Sequence, residues 1–192
     1  VALAGFRPLV SMSWGYDLMH DASRSHLLNW MTRFTLERSA ALVGDCEPVR
    51  QRAMVFGMAA ERIVTFPWGV DLKHFSPEGS TAHPGMDPVT KGGKGLRILS
   101  TRSWEPIYGV ELLAEGFIRA AQQLEPGKLQ LVMLGNGSLA RTLHQKFSNA
   151  ELGEQVFFPG QVKYAELPRY YRQADLYLSA SRTDGTSISL LE

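Results

Sequence analysis

The feature that most narrows the fold is an alternation along the chain. Short runs rich in branched and aromatic residues are each followed by a longer segment of helical period. That alternation predicts a parallel sheet covered by helices. Strands are expected at 8–13, 41–44, 63–66, 96–101, 129–134, 156–158 and 176–179. Helices are expected at 23–39, 47–56, 110–123, 138–147, 164–173 and from 187 onward.

Between residues 76 and 95 the pattern stops, and proline, glycine, serine, threonine and lysine dominate with hardly an apolar residue. This composition predicts a linker or long loop and puts the domain boundary there. The expected organisation is an α/β unit over 1–75, a linker over 76–94 and a second α/β unit over 95–192, with no internal repeat. The chain opens on Val1 and stops inside a helical pattern at Glu192, so a fragment open at both ends is expected.

Composition excludes more than it selects. The 20 lysines and arginines almost balance the 19 aspartates and glutamates, so no bulk field draws the chain to nucleic acid, and any anion site must be local. The single cysteine, Cys46, can form no internal disulfide and has no partner at metal-ligand spacing; a small buried hydrophobe is the simplest role for it. The histidines show no metal spacing, and no metal site is expected. No apolar run reaches transmembrane length and no secretory leader is visible, so cytoplasm is the expected location.

In open parallel sheets, ligands bind where strand ends lead into helix N-termini. Four stretches meet that rule. Ser100-Thr101-Arg102-Ser103 offers a guanidinium fork suited to phosphate. Gly135-Asn136-Gly137-Ser138-Leu139-Ala140 fits a variant of the dinucleotide fingerprint, although it follows the second strand of its unit and reads equally well as a tight turn. Phe158-Pro159-Gly160-Gln161-Val162 ends a strand in a Pro-Gly turn whose backbone can read a base edge. In the fourth, Asp184-Gly185-Thr186-Ser187 opens a helix, and seven residues part Asp184 from Glu192, about two helical turns, so both carboxylates can face one ligand.

Taken in order, these stretches resemble the retaining glycosyltransferases of family four, the glycosyl transferases group 1. The ending Ser-Arg-Thr-Asp184-Gly-Thr-Ser-Ile-Ser-Leu-Leu-Glu192 is similar to that family's pair of acids seven residues apart, with aspartate in the first place. Pro67-Trp68-Gly69-Val70-Asp71 followed by Phe75 resembles the stretch ahead of its interdomain linker, and Ser13-Trp14-Gly15-Tyr16-Asp17 resembles the cleft loop of its N-terminal domain. The resemblance implies a GT-B fold of two Rossmann-like, doubly wound parallel-sheet domains, the N-terminal one incomplete and the C-terminal one truncated, and transfer of a hexosyl group from a sugar nucleotide with retention and without a metal or other cofactor.

The resemblance also implies roles for residues. Arg102 would bind the donor diphosphate; Gly135 and Gly137 would face the nucleotide, and Val162 would touch the base through its backbone. Asp184 would hold sugar hydroxyls, the N–H groups of Gly185, Thr186 and Ser187 would contact sugar and phosphate, and Glu192 would bind the ribose. Trp14, Gly15 and Asp17 would line the acceptor side. Tyr108 stands before Gly109 where the family usually has lysine. The partners implied are a sugar nucleotide and a saccharide or lipid-linked acceptor, and the 192 residues alone are expected to be inactive for want of a closed cleft. Two other readings stay open: a non-catalytic nucleotide-sugar module, and a nicotinamide-dependent oxidoreductase built on Gly135, Gly137 and Ala140. Leu27, Trp30, Met31 and Phe34 form a helical stripe near Arg24, Arg33 and Arg38. It is expected to face the core, with a peripheral contact at the inner face of a membrane as the alternative.

Overall fold

A computed structural model describes residues 1–79 and 95–192. The expected linker falls mostly on residues 80–94, outside the described residues. The chain divides into two compact units, the first comprising 1–69 with 183–188 and the second 70–182 with 189–192.

Among the described residues, the first unit holds a parallel sheet in the order β1 (Val10–Met12), β2 (Ala41–Gly44), β3 (Ile63–Thr65). Leu42, central in that sheet, is buried with Val49 and Ala53 of α3 (Glu47–Val55), with Leu36, and with Leu18 of the short α1 (Tyr16–Met19). Pro48 in the first turn of α3 costs no helical hydrogen bond. The helix approaches β2 so closely that a Cβ on Gly44 would lie 2.8 Å from Val49 Cγ1. Cys46 is half-buried against this core, and burial pushes its thiol pKa up.

The helix expected from residue 23 begins later, as α2 (His26–Arg38), because the Ser25 hydroxyl caps it by accepting from the Leu28 N–H at 3.2 Å; residues 21–23 form a separate 3-10 turn. Its stripe does not face the core as expected. Leu27, Trp30 and Met31 are 64%, 53% and 47% exposed, and Leu36 is the helix's buried residue. Trp30, Phe34 and Arg38 stack on one another along the helix, which satisfies their side chains locally.

The second unit holds a parallel sheet in the order β6 (Val156–Gly160), β5 (Leu129–Leu134), β4 (Leu96–Ser100), β7 (Leu176–Tyr177). Alternation along the strands divides its core. Ile98, Leu131 and Met133 pack with α4 (Val110–Ala121) and α5 (Ala140–Asn149), whereas Leu99, Val132 and Leu134 pack with Tyr170 of α6 (Leu167–Gln173). In α4 the buried residues Val110, Leu113, Ala114, Phe117 and Ala121 trace one face of a 3.6-residue period. β6 runs on through Pro159 and Gly160, which were expected to form a turn. A register shift opposite Val132 and Leu134 accommodates it, and the Gly135 N–H donates to the Gly160 carbonyl at 2.8 Å. A last short helix, α7, covers Ile188–Leu191.

From β4 the chain steps outward to β5 and β6, then returns to the other side of β4 to form β7. The strand order therefore reverses between β4 and β7, and the carboxyl ends of those two strands make a crevice of the kind where open parallel sheets bind ligands.

Candidate functional site

The loop after β4 enters that crevice carrying Arg102. Its guanidinium carbon lies 4.2 Å from the centroid of the Tyr108 ring, a cation–π stack. The loop is joined to the glycine turn that follows the neighbouring strand, β5. The Trp104 N–H donates to the Asn136 carbonyl at 3.0 Å, the Leu139 N–H donates back to the Trp104 carbonyl at 3.0 Å, and Ser103 Oγ donates to the Asn136 carbonyl at 3.1 Å. Trp104 itself is buried, with Nε1 donating to the Leu134 carbonyl at 3.0 Å.

Both glycines of the turn have a physical reason. Gly135 has φ +101° and its missing Cβ would approach the Arg102 carbonyl at 3.2 Å; at Gly137 a Cβ would meet the Trp104 carbonyl oxygen at 2.5 Å. Arg102, Gly135 and Gly137 are thus brought together within the second unit. Glu105 completes the join, accepting from the Ser138 N–H at 2.8 Å and from its hydroxyl. Those bonds hold the Glu105 carboxyl below its ordinary pKa. Ser138 lies in the turn just ahead of α5, whose N-cap is Leu139, so the Glu105 carboxylate also stands near the positive end of that helix dipole.

The Val162 side chain is half-buried against the cluster that joins Leu99 and Val132 of the sheet to Tyr170 of α6. Glu192 is met by Tyr171, whose hydroxyl lies 3.0 Å from Glu192 Oε2 and 2.9 Å from the Ser189 carbonyl. Burial pushes the Tyr171 phenol pKa far up, so this group remains a donor. Thr101 at the end of β4 lies 3.1 Å from the Tyr177 hydroxyl, which links the strand-end polar groups.

Asp184, Gly185, Thr186 and Ser187 belong to the first unit, although sequence reading places them with the second. There the buried carboxylate of Asp45 accepts the Thr186 N–H at 2.7 Å, and the Asp45 carbonyl accepts the Thr186 hydroxyl at 2.8 Å. A Cβ on Gly185 would lie 2.0 Å from Asp45 Oδ2. The Thr186 N–H implied for the donor is therefore engaged by Asp45. Gly15, at φ +99°, packs on Gly185, its missing Cβ only 2.7 Å from the Gly185 nitrogen. The same loop is folded by Ser13, which donates to Asp17 Oδ1 at 2.7 Å and accepts the Gly15 N–H at 3.2 Å. Trp14 leans on Trp68, ring centroids 5.0 Å apart.

Sequence reasoning passed over Asp45, Glu105 and Tyr171. Asp45 follows β2 at its carboxyl end, so the rule that chose Arg102 also points to it. Glu105 and Tyr171 carry no such mark, since their partners are distant in the chain. Among the described residues no group of three histidine, cysteine, aspartate or glutamate side chains could hold a metal ion, and no helix is long and apolar enough to cross a membrane.

Two Rossmann-like parallel-sheet units, the second with a glycine turn and an arginine at its switch point, define a GT-B-like protein. The family model of the glycosyl transferases group 1 matches residues 90–192, and the chain belongs to that family. It is 25% identical over 174 residues to alpha-monoglucosyldiacylglycerol synthase of Streptococcus pneumoniae, covering 88% of this chain and 38% of that protein. It is 26% identical over 163 residues to mannosylfructose-phosphate synthase of Agrobacterium fabrum, covering 81% and 36%. Among solved structures, Anabaena HepE in complex with UDP and glucose superposes with a TM-score of 0.71 at 16% identity, over 94% of this chain and 49% of that one. Sucrose-phosphate synthase of Thermosynechococcus elongatus gives 0.67 at 18% identity, over 94% and 46%. The chain thus spans little more than a third of these curated relatives and about half of these structures.

Proposed function

We propose that the full-length protein transfers a hexosyl group from a nucleoside-diphosphate sugar to an acceptor hydroxyl, with retention at the anomeric carbon and without a metal. The observation that carries this reading is Arg102 at the switch point of the second unit, on a loop bonded to the glycine turn after β5. A guanidinium there meets a diphosphate and stabilises the charge it gains as the sugar departs. HepE, which shares the fold, is a protein seen with UDP and glucose, and this supports a uridine nucleotide as the first donor to try.

In this reading residues 95–192 form the donor domain and residues 1–75 part of the acceptor domain. Gly135 and Gly137 leave room for the nucleotide and the Val162 backbone meets the base. Glu192 takes the ribose hydroxyls and Asp184 the sugar hydroxyls. The N–H groups of Gly185 to Ser187 contact sugar and phosphate, with Thr186 exchanging its bond to Asp45 for one to the donor. Trp14, Gly15 and Asp17 face a saccharide or lipid-linked acceptor, and the protein works in the cytoplasm, at the inner face of a membrane when the acceptor is a lipid. The acceptor oxygen bonds to the anomeric carbon on the leaving-group face as the bond from that carbon to the diphosphate oxygen breaks. The acceptor proton passes to a donor phosphate oxygen, so no covalent carboxylate nucleophile is needed, unlike the two-carboxylate glycosidases.

The oxidoreductase alternative rests on the glycine turn alone. Glu105 counts against it, because its carboxylate occupies the glycine turn leading into α5, taking the Ser138 N–H where a dinucleotide pyrophosphate would need to approach. The test is a panel of UDP-, GDP- and ADP-sugars incubated with the full-length protein, the anomeric configuration of any product being read by NMR. An α-linked product from an α-linked donor supports the reading. An inverted product removes retention, and binding of sugar nucleotides without transfer or hydrolysis leaves the non-catalytic module. Reduction of a nicotinamide cofactor would replace the reading altogether.

A further inference from the structure

Tyr108 stands where the family resemblance leads one to expect a second phosphate-binding cation, and its placement shows what replaces it. The ring is held by its backbone. Residues Pro106–Tyr108 form a 3-10 turn in which the Tyr108 N–H donates to the Glu105 carbonyl at 3.0 Å and the Gly109 N–H to the Pro106 carbonyl at 3.2 Å. Gly109 follows in the left-handed region, at φ +62°, and a Cβ there would lie 2.0 Å from the Ala180 carbonyl oxygen. The Arg182 N–H donates to the Ile107 carbonyl at 3.3 Å. The turn is thereby sewn to the segment that leaves β7, on the far side of the switch-point crevice from β5. The Tyr108 side chain packs against the core cluster that includes Trp104 and Val110, and the Arg102 guanidinium lies 4.2 Å from its ring centroid.

We propose that Tyr108 is a positioning residue. Its ring face holds the Arg102 guanidinium in the orientation that receives the donor diphosphate, so that one preorganised cation does the work of two mobile ones. This rests on the donor-site reading of Arg102. The physical gain is entropic. Arginine and lysine each lose considerable rotamer freedom on binding, and a guanidinium already stacked on a rigid ring loses less of it when phosphate arrives. A lysine in place of Tyr108 would bring charge and no platform.

The ring's electronics separate this role from simple packing. The full-length protein is made with phenylalanine at position 108 and, separately, with pentafluorophenylalanine, which has nearly the same shape but a face of reversed polarity. Dissociation constants for UDP and GDP are measured by calorimetry, and the tighter of the two is followed. The phenylalanine form is expected within about twofold of the parent, and the fluorinated form is expected to bind about three- to tenfold more weakly. In an Arg102→Ala background the two forms should bind alike, since the face then has nothing to hold. Equal binding by the two forms with Arg102 present overturns the proposal, as does an unchanged difference with Arg102 gone. The underlying donor-site reading fails separately: if neither nucleotide binds the parent, or if Arg102→Ala binds as tightly as the parent, Arg102 is not a phosphate ligand.

Discussion

The Tyr171 hydroxyl shares its proton between the carboxylate of Glu192, at 3.0 Å, and the carbonyl of Ser189, at 2.9 Å. Glu192 therefore arrives at its proposed ribose position with its orientation set by a half-buried phenol that does not ionise in the physiological range. Ribose hydrogen bonds are alike in ground and transition states, so Glu192→Gln should raise the donor Michaelis constant more than it lowers turnover, by about one to two powers of ten. Tyr171→Phe should move the same constant in the same direction and by less, because it removes the orienting bond and keeps the ligand. Steady-state kinetics with varied sugar nucleotide check both. A fall in turnover at constant Michaelis constant would remove Glu192 from the ribose.

The Glu105 clasp on Ser138 should be sensitive to acid. The folded-state pKa of Glu105 is lowered from the ordinary 4.5 by its bonds to Ser138. Its contribution is thus present above that value and lost as pH falls through the lower folded value. In an NMR titration the Ser138 amide shift should move with a midpoint below 4.5, and in Glu105→Gln that transition should vanish.

Two glycines should respond in opposite senses to alanine. At Gly137 the new methyl would meet the Trp104 carbonyl oxygen at 2.5 Å, and only backbone movement relieves it. Gly137→Ala should cost about 1–3 kcal/mol and displace the Arg102 loop. Gly116 lies exposed within α4, and a methyl there meets nothing within 4 Å. Gly116→Ala should add about 0.5–1 kcal/mol by lowering the freedom of the unfolded chain. Thermal melts of the pair suffice, and a lower melting temperature for Gly116→Ala would contradict the open space seen beside it.

Asp45 should control the opening of the segment 183–188. Asp45→Ala removes the acceptor of the Thr186 N–H, and exchange of that amide with deuterium should quicken about ten- to a hundredfold, measured by NMR or mass spectrometry. Unchanged protection would mean that the segment is held by Gly15 and its neighbours alone.

Much of this protein is legible along one dimension. Apolar runs and 3.6-residue stripes locate the strands around Leu42, Leu99 and Leu131 and the helix that buries Val110, Leu113 and Phe117, because burial of each element depends on its own residues. Arg102 and the glycine turn are visible for the same reason: strand ends and tight turns are local. Periodicity says nothing of which strand lies beside which, so the order β6-β5-β4-β7, and with it the crevice at Arg102, came only with the tertiary structure. The outward stripe of Leu27, Trp30 and Met31 belongs to the same class, since a periodic face states that something apolar lies on one side and not what covers it. Glu105 and Ser138 are 33 residues apart in the chain, and Asp45 and Thr186 are 141 apart. No local preference encodes either bond. The first exists because β4 and β5, paired in parallel, deliver their carboxyl-end loops to the same edge of one sheet; the second exists because residues 183–188 belong to the first unit, where the buried Asp45 carboxylate gives the Thr186 N–H its partner.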